Sequence, residues 1–144
     1  MNIIEIVSTD PIKTGTSNLF KASTISFPKP FQPNIYSTKT EPASILANHD
    51  VVFCSGGVTL HEAMCVGTPA FVISQALHQE DKAKMAEKAG AAINLGQAKS
   101  WDENRLTEIF KLGRKNLEDM SMAGKKCIDG KGLKKVVEAI LSTC

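Results

Sequence analysis

Residues 54–71, CSGGVTLHEAMCVGTPAF, join two apolar runs through a short helical segment. The first run, at 51–54, leads into two adjacent glycines, and a Gly-Thr-Pro turn then separates the helical segment from the second run, at 70–73. Both runs are apolar throughout instead of alternating with polar residues, which is typical of strands covered on both faces of a parallel sheet. The order strand, helix, strand therefore predicts a βαβ unit.

The same alternation extends along most of the chain. Further apolar runs of β-forming residues lie at 3–7, 34–36 and 92–95; helical patterns lie at 41–49, 59–66 and 79–90, and two more helical segments, 101–124 and 132–142, close the chain. The proline-rich and turn-rich stretch 8–33 is predicted to be irregular. Together these patterns predict an α/β protein with a Rossmann-like parallel sheet flanked by helices, in a single domain spanning 1–144.

Composition excludes several classes of protein. The chain has 144 residues, of which 42% are hydrophobic and 22% charged, with a formal net charge of +2. This small charge does not favour nucleic acid as a partner. No apolar run approaches the ~20 residues of a transmembrane helix, and the beginning lacks a secretory pattern. The four cysteines show no CxxC spacing, which favours free thiols in a reducing compartment; we therefore expect a cytoplasmic protein without a metal site.

The double glycine is the strongest candidate for binding. Ser55, Gly56 and Gly57 follow a predicted strand at the carboxyl edge of the sheet, where open α/β sheets bind ligands. Glycine lets a ligand approach the main chain closely, and the helix that begins near Thr59 supplies free N–H groups suited to a phosphate. The alternative is a tight turn that binds nothing.

Glu62 has two competing interpretations. The pattern Thr59-Leu60-His61-Glu62 matches a capping box, in which the glutamate accepts a hydrogen bond from the Thr59 backbone N–H. In a functional role, the same carboxylate would accept two hydrogen bonds from a vicinal diol such as a ribose.

The three histidines have structural explanations of their own. His61 is expected on the exposed surface of a helix, and His49 at the end of the preceding helix, where an imidazole is favourable. His78 and Gln79 follow the strand at 70–73, where they either face the same cleft or cap the next helix. A P-loop, a GxGxxG fingerprint, an HExxH motif and a GxSxG elbow are all absent from the sequence, so the site residues do not identify a cofactor or a catalytic nucleophile.

In combination these features resemble a known family. DVVFCSGGVTLHEAMCVGTPAFVI, followed by HQEDKAKMAEKAGAAINLG, resembles the C-terminal, donor-binding half of GT-B glycosyltransferases. The nearest groups are the peptidoglycan N-acetylglucosaminyltransferase type, the sugar-nucleotide hydrolase of pseudaminic acid synthesis and the spore-coat polysaccharide proteins. The resemblance covers about residues 34–142 and includes the Gly-Gly-x-Thr-x-x-Glu run, the Gly-x-Pro turn and the glutamine after the next strand.

The resemblance implies roles for individual residues. Gly56, Gly57, Val58 and Thr59 would hold the diphosphate, with Ser55 beside them; Glu62 would bind the ribose diol, Gln79 the sugar hydroxyls with His78 adjacent, and the loop Thr38-Lys39-Thr40 the base. One departure is the stretch IVSTDP, in which Ser8 and Thr9 stand where the family has a glycine-rich first loop.

The function implied is the binding of a nucleotide-diphosphate sugar, of the UDP-N-acetylhexosamine kind, as the donor-binding part of a glycosyltransferase in polysaccharide biosynthesis. The alternatives are the donor-binding part of a UDP-sugar hydrolase, and a non-catalytic nucleotide-sugar-binding or interaction subunit. A GT-B enzyme has a further half that binds the acceptor and commonly supplies the catalytic base. We therefore expect the isolated chain to be inactive, and expect either homo-oligomers or a second chain that provides this half.

Overall fold

The structure is a computed structural model that describes residues 3–7, 34–37, 42–101 and 103–143. Its strands are β1 (Ile3–Val7), β2 (Asn34–Ser37), β3 (Val51–Cys54), β4 (Ala70–Ser74) and β5 (Ala92–Gln97). Its helices are α1 (Pro42–Ala47), α2 (Val58–Val66), α3 (Leu77–Lys88), α4 (Glu103–Ile109), α5 (Arg114–Cys127) and α6 (Gly132–Ser142). The predicted irregular stretch 8–33 and the loop Thr38-Lys39-Thr40 lie outside the described residues.

The strands form one parallel sheet in the order β2-β1-β3-β4-β5. From β1 the chain moves first to β2 on one side and then to β3 on the other, so the strand order reverses between β1 and β3. In doubly wound sheets this reversal opens a crevice at the carboxyl ends of the strands, and ligands bind there. The predicted α/β class is confirmed, and the loop that follows β3 lies beside the reversal.

Each face of the sheet is covered by helices, as the uniformly apolar strands indicated. On β3, Val52 and Cys54 belong to a core shared with α1, α2 and α3, whereas Val51 and Phe53 belong to a core shared with α4 and α5. The Phe53 and Phe71 rings pack with centroids 5.1 Å apart. All four residues of β3 and all five of β4 are buried, so these two strands form the rigid centre from which the loops emerge.

The Gly-Thr-Pro turn ends α2 as predicted. Gly67 has a φ of 83°, a left-handed conformation that favours glycine, and its N–H donates to carbonyls of the last helical turn. The Thr68 hydroxyl donates a 2.8 Å hydrogen bond to the Leu46 carbonyl within the core. The turn therefore fixes the direction in which the chain enters β4.

The predicted helical segment 101–124 is divided into two helices. α4 ends at Ile109, and α5 begins at Arg114 with Gly113 as its N-cap. The Asn116 side-chain oxygen accepts a 3.1 Å hydrogen bond from the Gly113 N–H, which stabilises this new helix start. The division lets both helices cover the sheet: Leu106 of α4 and Met120 of α5 pack in the same core.

The last helix differs from the others because none of its residues is buried. Five large apolar side chains lie on one stripe of α6 and are 46% to 80% exposed: Leu133, Val136, Val137, Ile140 and Leu141. Apolar stripes of this kind normally pack against another surface. In the described part of the chain, no helix combines the length and the apolar character needed to cross a bilayer.

Candidate functional site

The candidate site lies where the β3–α2 and β4–α3 loops meet at the carboxyl edge of the sheet. Because β3 and β4 are neighbouring parallel strands, the loops that follow them emerge side by side. They are in direct contact: a Cβ built on Gly56 would lie 2.4 Å from the Gln79 carbonyl oxygen. The structure therefore brings the double glycine together with Gln79, two features that lie more than twenty residues apart in the sequence.

The two glycines are required for different reasons. At Gly56 a side chain would collide with the backbone of Gln79, so this glycine allows the two loops to pack. At Gly57 a Cβ would meet only ordinary contacts, 3.8 Å from the Ser55 Oγ and 4.0 Å from the Gln79 Nε2. The position in front of Gly57 is therefore unfilled space with hydrogen-bonding groups on two sides.

Two hydroxyl-bearing residues at the start of α2 are largely buried as residues. Ser55 is 7% exposed and Thr59 is 9% exposed, and neither hydroxyl is hydrogen-bonded to a described residue. Among the described residues, the side-chain atoms that are fully buried without a partner are Ser74 Oγ and Glu80 Oε2, so the Ser55 and Thr59 hydroxyl oxygens still reach solvent. Both hydroxyls are therefore accessible to a ligand, and the Ser55 Oγ lies beside the space at Gly57.

Two helices begin at this loop, and neither has a side-chain cap. α2 has Gly57 as its N-cap and α3 has Ala76, and neither residue accepts a hydrogen bond from the first turn through a side chain. The first N–H groups of α2 therefore have no side-chain partner, whereas in α3 the Gln79 N–H already donates to the Ala76 carbonyl at 3.0 Å. Each helix dipole places partial positive charge at its start. This arrangement favours an anionic group such as a phosphate.

Of the two interpretations of Glu62, the capping box with Thr59 does not form in the structure. Because α2 begins at Val58 with Gly57 as its N-cap, Thr59 is already the second helical residue and Glu62 the fifth. The Glu62 carboxylate is half-buried and has no hydrogen bond to a described residue. Glu62 therefore has no capping role that competes with ligand binding.

The Gln79 side chain has a defined orientation. Its Oε1 accepts a 2.8 Å hydrogen bond from the Gln75 backbone N–H, and its Nε2 lies on the side of Gly57. The sequence pattern did not single out Gln75. Gln75 contributes its backbone N–H, which every residue except proline has, so its residue type gives no indication of this contact. The one feature in the sequence that could have indicated it is that Gln75 lies four residues before Gln79, where a helix begins.

The histidines occupy three different environments. His49 bonds through Nδ1 to the Ile45 carbonyl at 2.8 Å, which agrees with the predicted role at a helix end. His61 was expected on the exposed surface, but it is half-buried. Its Nδ1 lies within hydrogen-bonding distance, 3.2 Å, of the Gly57 carbonyl oxygen, so its side chain contacts the glycine loop. His78 is exposed in the first turn of α3, which begins two residues earlier than predicted.

Cys54, directly before the loop, is not suited to nucleophilic chemistry. Burial raises the pKa of its thiol to about 12, so the side chain stays neutral at physiological pH. Within the described residues there is also no group of three His, Cys, Asp or Glu side chains placed to hold a metal ion.

Of the predicted site residues, Thr38 and Lys39 lie outside the described part, whereas Ser55 through Thr59, Glu62, His78 and Gln79 all lie at or near the two loops.

A second concavity lies at the opposite, amino-terminal edge of the sheet. This open groove of about 900 Å³ is lined by residues before β3 and β4 and by α5, including His49, Asp50, Pro69 and Arg114. Arg114 is paired with Glu118 at 2.9 Å. The start of α5 lines this groove and has Gly113 as its N-cap, but the double-glycine loop is absent and the carboxylates of Asp50 and Glu118 belong to the lining, so the groove offers a different chemistry.

Comparison with known proteins gives two similar sequences and a similar structure. The chain is 32% identical over 97 residues to the spore coat polysaccharide biosynthesis protein SpsG of Bacillus subtilis. The matched segment covers 65% of the chain and 29% of that protein. It is 32% identical over 103 residues to the UDP-N-acetylglucosamine--N-acetylmuramyl-(pentapeptide) pyrophosphoryl-undecaprenol N-acetylglucosamine transferase of Clostridioides difficile, which covers 67% of the chain and 25% of that protein. No family model matches the chain.

The glycotransferase of kitacinnamycin matches the fold with a TM-score of 0.63 at 14% identity, covering 99% of the chain and 43% of that structure. These matches confirm the resemblance: the fold is that of a GT-B C-terminal domain, and the chain is related to glycosyltransferases of the peptidoglycan N-acetylglucosaminyltransferase type and to a spore-coat polysaccharide protein. The chain spans between a quarter and a third of the length of these curated relatives.

Proposed function

We propose that the chain binds a nucleotide-diphosphate sugar, of the UDP-N-acetylhexosamine kind, as the donor-binding part of a glycosyltransferase. The observation that supports this most strongly is the space in front of Gly57. The Ser55 hydroxyl and the Gln79 amide nitrogen lie beside it, and α2 begins there without a side-chain cap. A diphosphate would accept hydrogen bonds from these donors, and charge-assisted bonds of this type are stronger than neutral ones.

Glu62 supports the choice of a nucleotide over a simple phosphate. Its carboxylate is half-buried near the loop and makes no bond to a described residue. A carboxylate accepts hydrogen bonds only, and a vicinal diol offers two donors that match its two oxygens. A ribose next to the diphosphate would place such a diol near this side chain.

The proposal is tested by thermal unfolding of the chain with UDP and UDP-N-acetylglucosamine. A ligand present at 100 times its dissociation constant stabilises the folded state by about 2.7 kcal/mol. For a domain near this size, that corresponds to a rise in Tm of roughly 5–10 °C. Inorganic phosphate at the same concentration should give a much smaller rise, because it lacks the ribose. A Tm that stays constant with every nucleoside diphosphate at millimolar concentration contradicts the proposal.

The exposed stripe of α6 supports a further part of the proposal, that the chain self-associates. One flank of the stripe has Lys134 and Glu138, which form an ion pair within the helix at 3.8 Å. In an antiparallel two-fold pair of α6 helices, the same flank of both copies meets in reverse order. Lys134 of one copy then lies close to Glu138 of the other, so the charges are complementary while the apolar stripes cover each other.

A further inference from the structure

The outer edge of β5 is a surface that the proposed function does not involve. Of the described strands only β4 pairs with β5, so β5 forms one edge of the described sheet. An edge strand presents backbone N–H and C=O groups that can pair with a strand of another molecule, and proteins commonly prevent this with charged side chains or a proline on the edge strand. The stretch 91–98, which contains β5, has no charged residue and no proline. Protection of this edge must therefore come from other elements.

Two side chains from other elements occupy the backbone of Asn94, in the middle of β5. The Asn94 N–H donates a 3.0 Å hydrogen bond to Glu87 Oε1, and the Asn94 carbonyl accepts a hydrogen bond from Arg105 Nη1. Arg105 and Glu87 also form an ion pair with each other at 3.2 Å. This Glu87–Arg105 pair thus covers both backbone groups through which Asn94 could bind a further strand.

The Glu87–Arg105 pair crosses the edge of the sheet. Glu87 lies on α3, which packs on one face of the sheet through Ala83. Arg105 lies on α4, which packs in the core on the opposite face through Leu106. The pair therefore joins the two helical layers across the outer edge of β5.

Asn94 is itself held firmly in this position. It is 5% exposed, its Nδ2 donates a 3.0 Å hydrogen bond to Oε1 of the buried Glu80, and its Oδ1 accepts one from the Gly96 N–H at 2.9 Å. The register with β4 shifts just beyond Asn94, and Gly96 has a φ of 99°. Such a bulge bends the strand and interrupts the regular row of groups that another strand would need. The edge is therefore irregular on one side of Asn94 and covered by the Glu87–Arg105 pair at Asn94.

We propose that the Glu87–Arg105 pair closes the edge of β5, and that without this pair β5 associates with β5 of a second copy of the chain. The pair supplies the charge that β5 lacks, and it occupies the groups that strand pairing would use. Short β-forming segments of low charge without proline associate readily when they are exposed at an edge. This edge is separate from α6 and from the glycine loop, so the inference does not depend on the ligand or on a contact at α6.

The experiment compares the unaltered chain with Arg105→Ala and Glu87→Ala. Sedimentation velocity over a range of concentrations gives the mass of each protein, and we expect both variants to form larger species than the unaltered chain. NMR hydrogen exchange of the ¹⁵N-labelled chain follows the Asn94 amide at a concentration below that of association. In Glu87→Ala this amide should exchange about tenfold faster, because it loses a hydrogen bond to a carboxylate that is 38% exposed.

Two further variants separate edge pairing from a general effect of losing an ion pair. Arg114→Ala is the matched control, because Arg114 forms an exposed ion pair with Glu118 on α5 at 2.9 Å, and its mass should equal that of the unaltered chain. Gln97→Lys places a charge on β5 itself. Added to Arg105→Ala, it should restore the mass of the unaltered chain, since a lysine on an edge strand opposes pairing.

The proposal is wrong if Arg105→Ala and Glu87→Ala sediment as the unaltered chain does, or if the association persists after Gln97→Lys is added. It is also wrong if the Asn94 amide exchanges at the same rate in Glu87→Ala as in the unaltered chain. If Glu87→Ala loses exchange protection throughout the sheet because it does not fold, Glu87→Gln replaces it. Glu87→Gln keeps an acceptor oxygen but loses the charge, so it should associate more than the unaltered chain, and an unchanged mass would overturn the proposal.

Discussion

Replacing Glu62 distinguishes ligand binding from a purely structural role. Glu62 is the fifth residue of α2, and its carboxylate makes no hydrogen bond to the described part of the chain. Glu62→Ala should therefore leave the free energy of unfolding nearly unchanged, since alanine is the best helix former. A residue in a capping box would behave differently, because loss of a cap costs about 0.5–2 kcal/mol.

The expected effect on binding is larger. A hydrogen bond to a charged group contributes about 1.5–3 kcal/mol, and each 1.4 kcal/mol is a factor of ten in affinity. Because Glu62 is half-buried and partly screened by solvent, we take the lower end of this range. Glu62→Gln, which keeps the shape but removes the charge, should thus weaken UDP about tenfold.

The assay is calorimetric titration of the unaltered chain and Glu62→Gln with UDP and with 2′,3′-dideoxy-UDP. The dideoxy nucleotide lacks the diol, so its affinity should be the same for both proteins. Equal weakening of both ligands by the substitution would show that Glu62 acts only through the helix. A Tm of Glu62→Ala several degrees lower in the absence of ligand would also refute the reasoning, because it would reveal a structural role.

Three further predictions concern the glycines, α6 and catalysis. Gly56→Ala should destabilise the fold by roughly 1–3 kcal/mol, because the new Cβ would lie 2.4 Å from the Gln79 carbonyl oxygen. Gly57→Ala should keep the Tm of the unaltered chain and weaken UDP binding. A lower Tm for Gly57→Ala than for Gly56→Ala would contradict this. Val137→Glu should convert a dimer into a monomer in sedimentation, with Ser142→Glu, off the stripe, as the control; a monomeric unaltered chain, or a dimer insensitive to Val137→Glu, would show that α6 is not the interface. The isolated chain should release UDP from UDP-N-acetylglucosamine negligibly, since it spans under a third of its curated relatives; sustained turnover near ~1 per second would show that it has a complete catalytic site.

The order of strands and helices could be predicted because it follows from short-range patterns. The apolar runs at 51–54 and 70–73 are buried on both faces in the structure, and the glycine at 67 ends its helix in a left-handed conformation. The division near Gly113 was missed because helical spacing continues across it. The hydrogen bond between Asn116 and the Gly113 N–H starts a new helix there.

The candidate site was predicted in composition but not in geometry. The Thr-x-x-Glu pattern suggested a cap at Thr59, yet Gly57 becomes the N-cap because glycine is also accepted at this position and its backbone reaches the required conformation. The contact of Gly56 with Gln79 joins two loops, and no local pattern predicts it. The sequence also does not predict that the Ser55 Oγ lies beside Gly57, because that depends on the conformation of the turn.

The most direct test of the central claim is an NMR titration of the ¹⁵N-labelled chain with UDP. If the glycine loop binds the diphosphate, the largest shifts in backbone amide frequencies will fall on Ser55 through Thr59 and in the first turn of α3, and they will saturate with a single dissociation constant. Shifts confined to the groove around His49 and Arg114 at the opposite edge of the sheet, or no saturable shifts at millimolar UDP, would contradict the account.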